Sequence, residues 1–201
     1  MTEAEWLDCN RSGMRHLAEV YRFASVRKLL LAAAAYVRGA QARPGHADQA
    51  KHCDDVIEEA ADQLRPWDEL TLELARRPGH WGFTHVLAVP QKPAAVADGL
   101  RHLVLTYHSD AAPTPRDLIR LLHEVVGNPF APSRFDPAWR SDTAVLLARG
   151  MYESRDFGAM PILADALQDA GCDEDEVLDH CRGPGPHVRG CWVVDLVLGK
   201  A

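Results

Sequence analysis

No stretch of the chain holds the 18 or so consecutive apolar residues that a helix needs to cross a bilayer, so no membrane span is expected. There is no glycine-rich phosphate loop, no Gly-x-Ser-x-Gly turn and no His-Glu-x-x-His pair. Their absence removes the usual marks of a P-loop NTPase, a serine hydrolase and a zinc peptidase. No Cys-x-x-Cys pair occurs either, so no thiol redox motif is present. The opening MTEAEW is acidic and lacks the apolar segment of a secretory signal. The five cysteines, at 9, 53, 172, 181 and 191, are therefore expected as reduced thiols in a cytoplasmic protein, mostly as small core residues.

What is present is ordinary globular material: 201 residues, 47% hydrophobic and 25% charged, enough for a sizeable core. The net charge of −7 is unevenly spread. Between residues 11 and 43, seven cations (Arg11, Arg15, Arg22, Arg27, Lys28, Arg38 and Arg43) face one acid, Glu19. Such a split can mark a nucleic-acid patch. The overall acidity favours the other reading, one part of the fold docking on another.

Helical periodicity runs through nearly the whole chain. One turn near residues 3–10 should pin Trp6 and Leu7 to the body. Ser25 caps a helix to about residue 38 whose Leu29-Leu30-Leu31-Ala32-Ala33-Ala34 run is apolar all round and belongs in the core. Residues 47–64 carry Cys53, Ile57 and Ala60 on one side. Asp48, Asp54, Asp55, Glu58, Glu59 and Asp62 lie on the other, expected as a solvated face. Pro66 opens a further helix, and another follows Pro93 to about residue 108. Residues 80–93, with His80, Trp81 and His85, read as irregular. Thr114-Pro115-Arg116-Asp117 combines a cap, a first-turn proline and a capping-box acid. Gly127 ends that helix, residues 130–139 form an ordered loop, and Ser141 or Asp142 starts the next helix.

Residues 157–200 have the densest punctuation and read as a terminal three-helix unit. Pro161 opens its first helix and Gly171 stops it. Asp173 and Glu176 suggest a capping box for the second. Gly183-Pro184-Gly185-Pro186 breaks the chain, and a core helix is expected over 187–198. Asp195 within it is a carboxylate on an apolar helix. It needs a cation, and Arg182 and Arg189 are the candidates on the preceding stretch. Asp195→Ala is expected to cost about 2–4 kcal/mol by stranding that cation.

The strings MTEAEW, GNPFAPSRFDPAW, PILADALQDAGC and HVRGCWVVDLVLGK resemble a family of uncharacterised proteins numerous in planctomycete bacteria. The resemblance covers the start and residues 127–201, and is poor over about 39–117. It implies a bacterial, largely helical protein and carries no activity, cofactor or catalytic residue.

The expected fold is all-α: one compact domain of short helices, with residues 40–115 as a variable insert. No catalytic constellation is legible. The expected function is a non-catalytic helical module that binds a protein partner. Two polar groupings stand out. Arg182, His187, Arg189 and Asp195 surround the Gly-Pro connection and could hold an anion or a carboxylate. His180, Cys181, His187 and Cys191, with Cys172 as a further donor, have the ligand types for zinc. Their spacing matches no zinc motif, and Cys181 and Cys191 also fit apolar helix faces, so zinc is the alternative to plain core cysteines. Nucleic-acid binding through residues 11–43 is the other alternative.

Overall fold

A computed structural model of the protein describes residues 2–8, 19–40, 47–64, 66–76, 92–106 and 114–200. Ten α-helices and two 3-10 turns occur among them, with no strand, so the fold is all-α as the periodicity implies. Among the described residues no helix is long and apolar enough to cross a membrane. The irregular segment expected at 80–93 lies outside the described residues, apart from Lys92 and Pro93. So do Arg11, Arg15 and Arg43.

The chain divides into two compact units, Met1–His123 and Glu124–Ala201. In the first, α1 (Glu3–Leu7) is closed by a reciprocal box: Thr2 N–H donates to Glu5 Oε2 at 2.7 Å and Glu5 N–H to Thr2 Oγ1 at 3.3 Å. Trp6 is buried, but Leu7 points out and is 59% exposed, against the expectation that both anchor the turn. After a 3-10 turn at Val20–Arg22, α2 (Val26–Ala40) packs on α3 (Ala47–Ala61) and on α5 (Pro93–Thr106), while α4 (Trp67–Ala75) lies against α3. Leu29, Leu30 and Leu31 of α2 are fully enclosed, and Ala32, Ala33 and Ala34 keep the helix thin enough for close neighbours. Ser25 Oγ accepts the Lys28 N–H at 3.3 Å and caps α2.

The acidic side of α3 is not the solvated face its composition suggests. Asp54 and Glu58 are 1% and 2% exposed. Arg38 reaches both, Nε to Asp54 Oδ2 and Nη2 to Glu58 Oε1, each at 2.7 Å, and Arg27 Nε meets Asp62 Oδ1 at 3.2 Å. Arg27 and Arg38 are three turns apart on one side of α2, and Asp54 and Glu58 on α3 and Asp62 just past its end follow one another at four-residue steps. A row of carboxylates bordering the apolar seam is thus met by a row of guanidinium groups.

The boundary between the units falls inside α6 (Pro115–Val126), which begins with the expected box: Thr114 N–H donates to Asp117 Oδ2 at 2.7 Å and Asp117 N–H to Thr114 Oγ1 at 3.3 Å. The second unit continues through a 3-10 turn (Pro137–Trp139) capped by Asp136, then α7 (Asp142–Ser154), α8 (Met160–Asp169), α9 (Asp175–Arg182) and α10 (Trp192–Leu198). Ser141 caps α7 by accepting the Ala144 N–H at 3.2 Å. α8 packs on α7 and α9, and α10 on α7 and α9. Met151, Leu163, Leu167, Val177, Val193 and Val197 form the middle of the core they share.

Two helix starts differ from the sequence pattern. α9 begins after Glu174 with no side-chain cap. Glu176, expected to close a box on Asp173, instead accepts a hydrogen bond from the Ser133 hydroxyl, and Asp173 lies 4.0 Å from Arg134. α10 begins at Trp192, not near residue 187. Residues 183–191 stay outside the helix, with Gly190 at φ +92° and Cys191 at the N-cap with φ −43° and ψ 129°.

Candidate metal centre

The Gly-Pro connection that breaks the chain also positions an imidazole. Gly185 holds φ +77°, and a Cβ there would lie 2.7 Å from the His187 nitrogen, so only glycine fits. The turn brings His187 back onto its own start: Nε2–H donates to the Gly183 carbonyl at 3.3 Å. A carbonyl only accepts, so this bond fixes the proton on Nε2 and turns Nδ1 inward.

Nδ1 meets Glu124, in the last turn of α6, at 3.1 Å from Oε1. The other oxygen, Oε2, lies 3.4 Å from His180 Nε2, on α9. His180 Nε2 is also 3.1 Å from Cys191 Sγ, at the cap of α10. The donor atoms of Glu124, His180, His187 and Cys191 all fall within 4.8 Å of one another. Glu124 and Cys191 are buried and the two histidines are largely so.

The protons in this cluster can be placed from its partners. Trp192 Nε1–H donates to His180 Nδ1 at 3.1 Å. Indole nitrogen has no lone pair to offer, so Nδ1 is the acceptor and the proton of neutral His180 sits on Nε2. That proton points to Cys191 Sγ and Glu124. His187 donates from both nitrogens to acceptors, which is the charged imidazolium. Burial pushes its pKa down, but the hydrogen bond and charge of Glu124 outweigh this and hold it above the ordinary histidine range. For Glu124 burial raises the pKa, and the hydrogen bonds and charges of His180 and His187 bring it below the ordinary value. Burial, reinforced by Glu124, lifts Cys191 far above the usual thiol range.

This setting does not suit a nucleophilic thiol. Cys191 and His180 have the separation of a thiol–imidazole dyad, but a reactive cysteine needs an electropositive, accessible setting. Here the thiol is fully enclosed beside a carboxylate, and the imidazole presents N–H to it instead of a lone pair.

Of the four ligand types picked out in the sequence, His180, His187 and Cys191 converge. Cys181 is outside the convergent set: it is enclosed in the apolar core, and burial pushes its thiol up to about 12. Cys172 is likewise a buried core thiol, raised by burial. Glu124 takes the fourth place and was not foreseen. Its one sequence signal is that it stands three residues after Leu121, on the side of α6 that turns inward.

In the other grouping, Arg182 is turned toward α8. Arg182 Nη2 binds Asp165 Oδ1 at 3.1 Å and Gln168 Oε1 at 2.8 Å, on α8, and so is not the cation for Asp195. The Arg189 guanidinium lies over the Tyr152 ring, 4.4 Å from its centroid, and Lys200 lies over the same ring at 4.2 Å. Asp195 is 2% exposed. His187 already faces a carboxylate. Comparison with protein-family models, curated proteins and solved structures returns no match.

Proposed function

We propose that the unit Glu124–Ala201 binds one divalent transition-metal ion of the zinc class through Glu124, His187 and Cys191, with His180 as a fourth donor, and that the ion makes it a metal-stabilised, non-catalytic module. The observation that carries this reading is the convergence of one carboxylate, two imidazoles and one thiol within 4.8 Å, from the end of α6, from α9 and from the connection 183–191. Zinc bonds of about 2.0–2.3 Å place tetrahedral donors roughly 3.3–3.8 Å apart, close to the 3.1–3.4 Å contacts here. Nitrogen and sulfur donors suit zinc and disfavour magnesium or calcium, which take oxygen.

Charge favours the same reading. Without an ion the cluster is neutral, Glu124 carboxylate against His187 imidazolium. A divalent ion would displace one proton from His187 and one from Cys191, and the cluster would again be neutral. α9 and α10, with 8 and 7 residues, are too short to hold themselves together, and one ion would tie both to the end of α6. Nucleic-acid binding through residues 11–43 has less support, because Arg27 and Arg38 are engaged by the acids of α3.

The test is metal analysis of the purified full chain with a zinc titration, using His187→Ala and Cys191→Ser as comparisons. We expect about one zinc per chain, a raised melting temperature, and at least a hundredfold weaker binding in each variant. Metal-free protein that takes up no zinc and melts unchanged in its presence overturns the reading.

A further inference from the structure

Resting on that metal reading, we infer that Trp192 governs whether His180 joins the ion: the centre has three committed donors and one conditional donor. The inference comes from an asymmetry between the two histidines. A histidine that binds a metal normally gives its other N–H to an acceptor, which fixes the ring for ligation. His187 has this arrangement, with Nε2–H on the Gly183 carbonyl at 3.3 Å and Nδ1 turned to the centre. His180 has the reverse. Its outer nitrogen, Nδ1, receives the Trp192 indole N–H at 3.1 Å, so the inner nitrogen, Nε2, carries the proton.

A protonated nitrogen cannot ligate. For Nε2 to bind an ion, the imidazole proton must move to Nδ1, where it would face the indole N–H head on. The two donors cannot share that space, so the indole must turn away. A metal–imidazole bond outweighs one net hydrogen bond, so the ion prevails, but the lost bond remains as a penalty on affinity. The indole has a defined neighbour to leave. Gly127 stands at φ +75°, and a Cβ there would lie 3.2 Å from the Trp192 ring, three residues along the chain from Glu124. Recruitment of His180 is therefore felt where α6 ends.

A double-mutant cycle on the full chain separates this from a packing effect. Zinc affinity is measured for the parent, Trp192→Phe, His180→Ala and the double variant. Trp192→Phe removes the indole donor, and we expect it to bind zinc about five- to tenfold more tightly than the parent. In the His180→Ala background the same change should make no difference. In the parent, NMR of 15N-labelled indoles should show the Trp192 N–H signal moving on zinc saturation while those of the other four tryptophans hold. Trp192→Phe binding no more tightly, a gain that persists without His180, or a stationary Trp192 signal would each overturn the inference and leave the metal reading standing. Zinc bound by none of the four proteins would remove both.

Discussion

At the scale of single residues, the centre is a set of protons directed at one carboxylate. Glu124 receives hydrogen bonds from His180 and His187 and raises the pKa of Cys191. This gives the metal-free protein a defined pH response. The folded chain holds the His187 proton more tightly than the unfolded chain does, so that contribution is complete below the ordinary value of 6.5 and is lost as pH rises through the raised one. Glu124 acts on the acid side: its contribution is present above 4.5 and is lost as pH falls through its lowered value. Stability of the metal-free protein, measured by urea unfolding, should therefore decline above about pH 6.5. In His187→Gln that alkaline decline should be absent, with lower stability throughout the acid range. Three members of the cluster were legible in the sequence because histidine and cysteine are conspicuous types. The fourth was not: Glu124 is 63 positions from His187, and only the placement of α6 brings them together.

Among the elements, caps were the most readable feature, because a cap is closed by residues within one turn of each other. Thr114 with Asp117, and Ser141, act where the pattern puts them. The pattern failed where a distant group intervened. Ser133 takes the Glu176 carboxylate that was to close the start of α9, and Cys191, read as a helix-face residue, is drawn to His180 as the cap of α10. The acids of α3 show the same limit. Periodicity placed them opposite Cys53 and Ile57, but α2 lays Arg27 and Arg38 along their edge and encloses Asp54 and Glu58. Arg38→Met should thus destabilise the protein by about 2–4 kcal/mol, since two enclosed carboxylates lose a shared cation. Arg38→Lys should recover only part of the loss, because an ammonium lacks the planar fork that serves both carboxylates. Equilibrium unfolding of the three proteins would check both statements.

Across the whole molecule, composition announced helices, and the described residues carry ten α-helices and no strand, in two compact units. The charge imbalance is partly resolved inside the first unit, where cations of α2 meet acids of α3. In the second unit the same economy of short helices leaves all three cysteines, Cys172, Cys181 and Cys191, shut away on different elements of one core. An alkylating reagent can reach them only when that core opens, so their labelling rates form a clock for breathing of the C-terminal half. Mass spectrometry of timed iodoacetamide reactions should show the three sites acquiring label together and slowly, with zinc slowing Cys172 and Cys181 as much as Cys191; rapid labelling of Cys181 alone would mean that the interior opens piecemeal.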